Sequence, residues 1–187
     1  TMGRLGGMSA AGHVRYSTAG ESGLKNAQPI LIDCSHGEIA ICHNGNLVNA
    51  QELRDALVGQ GSIFQTTSDT EVLLHLYARS RATTPEAARV EAITQAQGAF
   101  SLVLLAADCV VAVRDPWGFR PLSVGRLPHG GHAVASETCA LSTLGCVDIS
   151  EVEPGEIITL RGAELHRRQA LAAAPRQARC TFEFVYF

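Results

Sequence analysis

Apolar and polar positions change period along this chain, and the changes divide it into three regions. Residues 30–33 and 38–43 are short apolar runs separated by Ser35-His36-Gly37, a spacing that predicts two strands joined by a tight turn. The period then lengthens. Asn49 followed three positions on by Glu52 has the form of a capping box, and Leu53, Ala56 and Leu57 recur at helical spacing up to Gly59 and Gly61. Ser68-Asp69-Thr70-Glu71 repeats that signature ahead of Val72, Leu73, Leu76 and Tyr77, predicting a helix over 69–79. Thr84-Pro85-Glu86 places an N-cap before a proline at the first helical position, opening a third helix that runs to about residue 97.

From Gly98 the runs become short. Those at 100–105, 110–114, 121–125 and 132–135 read as successive strands of a meander, broken by Asp-Cys, Pro-Trp-Gly and His-Gly-Gly. Residues 136–144 read as a turn or one short helix, and 147–152, 156–160 and 164–168 as three further strands, with Glu153-Pro154-Gly155 as a turn. A hairpin, helices and then many antiparallel strands predict an α+β protein, with sheets stacked on each other and helices on the outer faces. The Ala-rich stretch 170–175 reads as a linker, and the aromatic run 180–187 as a strand whose open edge would be sticky, so the natural chain is expected to continue.

Composition bounds the rest. At 187 residues and 46% apolar content, one domain with one sizeable core is the expectation. A charged share of 18% and a net charge of −3 give no basic surface for nucleic acid. The longest apolar stretch, 99–107, is well short of the roughly 20 residues that cross a bilayer, so no membrane partner is expected. The first residues have neither the apolar run of a secretory signal nor the Arg-rich length of a transit peptide, which makes the cytoplasm the expected location. The six cysteines, Cys34, Cys42, Cys109, Cys139, Cys146 and Cys180, form no CxxC pair and read mostly as reduced structural thiols.

Three polar clusters fall where turns are predicted. Around Arg15, Gly12-His13-Val14-Arg15-Tyr16-Ser17-Thr18 is either a carboxylate clamp with added hydroxyls or a surface turn with an incidental Arg. His43-Asn44-Gly45-Asn46 is either a plain Asn-Gly hairpin turn, the stronger reading on pattern alone, or two donors aimed at an oxyanion. Thr67-Ser68-Asp69-Thr70-Glu71 is either a set of helix caps or a site where a carboxylate takes a substrate ammonium. Histidines and cysteines show no short metal-ligand pattern, and phosphate-cradling and GxSxG motifs are absent from the sequence.

These clusters occur in one order with Asn26-Ala27-Gln28-Pro29, Asp115-Pro116-Trp117-Gly118-Phe119-Arg120-Pro121-Leu122, Ala135-Ser136-Glu137-Thr138-Cys139-Ala140 and Glu151-Val152-Glu153-Pro154-Gly155-Glu156. In that order, from about Gly12 to Phe187, the chain resembles amidophosphoribosyltransferase, a family similar to the class II glutamine amidotransferases. The resemblance implies a four-layer αββα sandwich of the N-terminal-nucleophile hydrolase type, incomplete at its N-terminus. It implies a glutaminase domain over 1–168, and over 169–187 a linker and first strand leading to a phosphoribosyltransferase domain. Glutamine would be hydrolysed in the first domain. Ammonia would then displace pyrophosphate from phosphoribosyl pyrophosphate in the second, giving phosphoribosylamine, the committed step of purine synthesis.

Carried over by position, the resemblance assigns Arg15 and Thr18 to the glutamine α-carboxylate, Asp69 to its α-ammonium, and Asn44 with Gly45 to the oxyanion hole; Tyr16 matches a position near the domain interface. Cys180 matches the position that, in iron–sulfur members, supplies one ligand to a [4Fe–4S] cluster whose other three ligands lie in the second domain. No cofactor is expected within this chain itself; the parent enzyme is expected to use Mg2+ and to form a homo-oligomer. Two other readings compete. Glutamine–fructose-6-phosphate aminotransferase shares the three polar clusters, whereas the Asn-Ala-Gln-Pro, Asp-Pro-Trp-Gly-Phe-Arg-Pro-Leu and Ser-Glu-Thr-Cys-Ala pieces favour the purine enzyme, and a non-catalytic truncated paralogue would use the domain for binding alone.

The family's nucleophile is a cysteine at residue one, with its own α-amino group as base, whereas this sequence opens on Thr1. No internal cysteine carries a free α-amino group, so the resemblance places the attacking thiol upstream of Thr1. The chain by itself is therefore expected to release no glutamate from glutamine. Turnover abolished by replacing Thr1, or any one of the six cysteines, would show that a nucleophile is present after all.

Overall fold

The computed structural model describes residues 6–14, 23–181 and 185. Among them the chain forms β1 (Ile30–Ile32), β2 (Ile39–Leu47), α1 (Ala50–Gly59), α2 (Glu71–Arg79), α3 (Pro85–Thr94), β3 (Gly98–Ala106), β4 (Val110–Arg114), β5 (Ser123–Arg126), β6 (His132–Ala135), α4 (Thr138–Thr143), β7 (Val147–Glu151), β8 (Glu156–Arg161) and β9 (Glu164–Gln169). A six-stranded antiparallel sheet has the order β1-β2-β3-β4-β8-β9, and a three-stranded sheet the order β6-β5-β7. No described helix is long and apolar enough to cross a membrane.

Strand alternation builds the layers. In β4, Val111 and Val113 join the core shared with α1–α3, while Ala112 between them faces the smaller sheet. β8 divides in the same way, Ile157 toward the helices and Ile158 and Leu160 toward the second sheet. Strands buried on both faces read as continuous apolar runs, which is why 110–113 and 157–160 are legible without alternation. α4 packs on β5, β6 and β7 and completes the order helix, sheet, sheet, helix. This is the expected four-layer αββα sandwich.

Where the fold departs from the pattern, a tertiary partner is the cause. The predicted meander is split: after β4 the chain leaves for the second sheet, and β8 returns to pair with β4. β2 does not turn at residue 43; it runs on to Leu47, because every residue of β3 from Gly98 to Ala106 lies opposite it. Asn49 makes no cap hydrogen bond; its side-chain amide donates to Gln95 O at 2.9 Å and its oxygen accepts from Gln97 N at 3.0 Å, tying the start of α1 to the entry of β3. The Thr84 cap is as predicted, its side chain accepting from Ala87 N, but α3 stops at Thr94 rather than near residue 97.

The stretch 170–175 is held rather than free. Gly155 O accepts from Ala170 N and Leu171 N at 3.2 and 3.0 Å, and Pro116 O accepts from Ala174 N at 2.8 Å. Gly155, at φ +77°, lies so close to Leu171 that a Cβ would overlap its carbonyl oxygen. Farther on, Thr181 and Val185 have helical backbone where a strand is predicted.

Phe100 on β3 is fully buried opposite Gly45, in the core shared by β2, β3 and the helices. Replacing it with Ala is expected to lower unfolding free energy by about 3–5 kcal/mol. Urea unfolding followed by circular dichroism measures this; a loss below ~1 kcal/mol would show that this core does not hold the domain together.

Candidate functional site

The predicted oxyanion pair lies on the last turns of the β2 pleat. Ile39, Ile41 and Leu47 face the helices, so His43 shares their side and Asn44 faces the opposite way, opposite Ser101 of β3. Asn44 is half-buried, and its side-chain amide makes no hydrogen bond among the described residues. Gly45, at φ +146°, is required by close approach: a Cβ there would overlap the Ala99 carbonyl oxygen and stand 2.8 Å from Phe100 Cα. The Asn-Gly pair is therefore strand, not turn. Hairpin geometry is excluded because α1, α2 and α3 intervene before the strand that pairs with it.

A second segment, residues 65–71, is fastened to this strand end. Leu47 N–H donates to Asp69 Oδ2 at 2.9 Å, and His43 Nδ1 shares a 3.0 Å hydrogen bond with Thr70 Oγ1. Asp69 Oδ1 faces His43 Nδ1 at 3.7 Å, beyond hydrogen-bond length, and 12% of the Asp69 side chain is open to solvent. The carboxylate thus has one oxygen committed to the strand and one able to take a cation. Burial alone would push its pKa up, but the His43 ring and the Leu47 N–H outweigh burial and hold it below the usual carboxylate value.

Glu71, predicted as a capping-box partner, instead folds back over the loop. Its carboxylate accepts from Gln65 N, Thr66 N and Thr66 Oγ1 at 2.8, 2.8 and 2.7 Å. Burial opposes ionisation here too, and these donors overcome it, so the Glu71 pKa is lowered. Arg54 reaches from α1 to Thr66 O and Ser68 O and lies 4.0 Å over the Phe64 ring. The Ser68-Asp69-Thr70-Glu71 string is a set of side chains directed at different partners, and no side-chain cap bond is made at the start of α2.

The Asn26-Ala27-Gln28-Pro29 piece holds both segments at once, a role that spacing alone does not disclose. Asn26, fully buried, donates to Thr67 Oγ1 at 2.8 Å and accepts from Thr67 N at 3.0 Å. Gln28 Oε1 accepts from His43 N at 2.6 Å. Asn26, Gln28, His43 and Thr70 are the site residues that sequence reading missed; their only signal was membership of motifs whose partners lie 15 to 41 positions away. His43 Nε2 is buried with no hydrogen-bond partner among the described residues.

Arg15, Tyr16 and Thr18 lie outside the described residues, so the carboxylate clamp is not placed by this geometry. Cys180 is half-buried at the far end of the chain, its sulfur 4.0 Å from Arg120 Nη1. Among the described residues no group of three His, Cys, Asp or Glu is arranged to hold a metal. Cys42, next to His43, is buried and its thiol is pushed up to about 11, which keeps it protonated and unreactive.

Residues 13–143 match the family model described as a glutamine amidotransferase domain. The chain is 49% identical over 98% of its length to a chloroplastic amidophosphoribosyltransferase of Glycine max, covering 32% of that protein. To the amidophosphoribosyltransferase of Staphylococcus epidermidis it is 42% identical over 95% of its length, covering 36% of that protein. The structure of glutamine phosphoribosylpyrophosphate amidotransferase from B. subtilis, solved with ADP and GMP, superposes with a TM-score of 0.83 at 38% identity, over 94% of this chain and 37% of that one. The chain thus spans about a third of the length of the relatives it matches.

Asp69 carries a pH prediction. Its folded pKa is depressed, so its contribution is present above the unfolded carboxylate value near 4 and is lost as pH falls through the lower folded value. Asp69→Asn should therefore be less stable than the parent by about 1–2 kcal/mol at pH 7. Urea midpoints measured from pH 7 down to about pH 2 should show that gap constant above pH ~5 and closing below ~4. A gap that stays the same throughout would mean that ionised Asp69 does not brace β2.

Proposed function

The chain belongs to the glutamine amidotransferase domain family, and from that premise we propose that it is the glutamine-hydrolysing part of an amidophosphoribosyltransferase. In that role it cleaves the side-chain amide of glutamine to glutamate and ammonia. Ammonia then displaces pyrophosphate from phosphoribosyl pyrophosphate to give 5-phosphoribosylamine, the first committed step of purine biosynthesis. Similarity to amidophosphoribosyltransferases over nearly the whole chain supports this over the fructose 6-phosphate reading.

The observation that carries the proposal is the Asn44 amide, unpartnered among the described residues, beside Gly45 on a strand end braced to Asp69. A thiolate attacking the glutamine amide carbon turns the carbonyl oxygen into an oxyanion. Asn44 Nδ2 and the Gly45 N–H are the donors assigned to that oxygen, held on a rigid strand and so needing no reorganisation as charge develops. Asp69 takes the α-ammonium through the oxygen not used by Leu47. Arg15 and Thr18 are assigned to the α-carboxylate, Tyr16 to the face toward the phosphoribosyl-binding domain, and the attacking thiol to an N-terminal cysteine, all by resemblance. With both ends of the amino acid fixed, the amide is delivered to the donors in reacting position.

Cys180 is proposed as one ligand of an iron–sulfur cluster in the parent enzyme. Its sulfur is half-buried, 4.0 Å from Arg120 Nη1, and the remaining ligands are assigned to other parts of that enzyme. Mg2+ is assigned to the phosphoribosyl pyrophosphate site, homo-oligomeric assembly to the whole enzyme, and the cytoplasm remains the proposed location.

The test uses the full protein that contains this chain. Asn44→Ala should lower glutamine-dependent phosphoribosylamine formation on the order of 10²–10³-fold while leaving activity with added ammonium salt intact. An equal fall with both nitrogen sources, or a fall below ~10-fold with glutamine, removes Asn44 from the oxyanion hole. Formation of glucosamine 6-phosphate from fructose 6-phosphate, with no use of phosphoribosyl pyrophosphate, would instead favour the aminotransferase.

A further inference from the structure

α3 and the β4-β8-β9 part of the helix-covered face of the six-stranded sheet form a concave surface. On the helix, Glu86, Arg89, Val90 and Ile93 lie at helical spacing along one stripe. On β8, Ile157, Thr159 and Arg161 alternate onto one face, and β9 continues it with His166 opposite Thr159 and Arg168 opposite Ile157. With Val111 at the base, these walls bound a groove of about 310 Å³. It lies on the β4-β8-β9 side of the sheet, away from the β2 end that carries Asn44.

Charges in this groove do not balance. Arg161 is held by Asp108 at 3.2 Å and Glu86 at 3.7 Å, and His166 by Glu164 at 3.3 Å, so the nearby carboxylates are engaged. Arg89 is only 4% exposed, and among the described residues no carboxylate pairs with it. Its polar neighbours are the Tyr77 phenol and the Cys109 thiol. Burial raises the pKa of both, so they stay neutral and supply no counter-charge. Arg168, exposed on β9, likewise has no acidic partner among the described residues. A guanidinium keeps its charge in a protein, and a buried charge without an opposite one is costly.

We propose that this groove binds a small oxyanion carried on a compact apolar body, a phosphate monoester. Buried Arg89 and exposed Arg168 grip the phosphate through charge-assisted hydrogen bonds, with Thr159 lining the same groove. Val90, Ile93 and Ile157 receive the apolar part. The two arginines come from different elements, so the site exists only once α3 is seated on the sheet.

The probe is phenyl phosphate, titrated calorimetrically into the protein, with benzyl alcohol as its neutral counterpart. One-site binding that weakens with added salt is expected, with no binding of benzyl alcohol. Arg89→Met should abolish it. Arg168→Gln, on an exposed strand position, should keep the parent's thermal melt and weaken binding by ~10-fold or more, so it decides the matter if Arg89→Met fails to fold. Absence of binding, equal binding of benzyl alcohol, or binding unchanged in folded Arg168→Gln would each overturn the proposal; the last would place the phosphate elsewhere in the protein.

Discussion

One constraint governs the candidate site: the end of β2 has to be fastened to a loop that is more than twenty positions away in sequence. Leu47 N–H to Asp69, His43 to Thr70, and the Asn26 and Gln28 side chains together supply that fastening. Each bond is short and at least partly buried, where an unmet donor or acceptor costs about 1–3 kcal/mol. Their joint effect is to fix where the strand stops, which face Asn44 presents, and how far Asp69 stands from it. The Leu47 N–H, together with the His43 ring, also lowers the Asp69 pKa against its burial. Position and charge at the substrate-binding end thus have one physical source.

A second knot holds the two sheets in register. Asp115, fully buried, accepts from Trp117 N, Phe119 N and Phe100 N at 2.8, 3.1 and 3.2 Å. Its neighbour Arg114 donates to Arg120 O, Gly118 O, Val152 O and the Glu151 carboxylate. The chain passes from the larger sheet to the smaller one through this loop, and the segment after β9 docks on its Pro116 and Trp117 carbonyls. Phe100 links the two knots, being opposite Gly45 on one side and bonded to Asp115 through its backbone. Burial pushes the Asp115 pKa upward despite its N–H partners, the opposite outcome to Asp69, where the His43 ring adds a favourable neighbour.

Asp69 and Arg89 show two ways in which a buried charge is accommodated here. The carboxylate is answered from within the fold, by a backbone donor and an imidazole. The guanidinium lines a groove whose one acidic side chain, Glu86, is engaged by Arg161, and among the described residues no carboxylate pairs with it. Both residues sit on the helix-covered side of the larger sheet, near opposite ends of the strand order.

Most elements were legible because their cause is local. The runs at 110–114 and 156–160 and the Thr84-Pro85 helix start follow from apolar patterning and capping, and the ordered motifs carried the family. The site was legible as residues but not as geometry. Asn44-Gly45 reads as a turn because a dipeptide cannot show that Gly98–Ala106 pairs along the whole strand beside it, and Asn49 and Glu71 read as caps because their true partners at 95, 97, 65 and 66 are set by packing. Sequence by itself determined the α+β class, the element order and the family. Tertiary structure alone decided that β2 runs on through Asn44 and Gly45, that Asp69 braces it, and that Arg89 is buried with no paired carboxylate among the described residues. Each of these depends on which distant backbone or side chain arrives alongside, and neither period nor propensity carries that information.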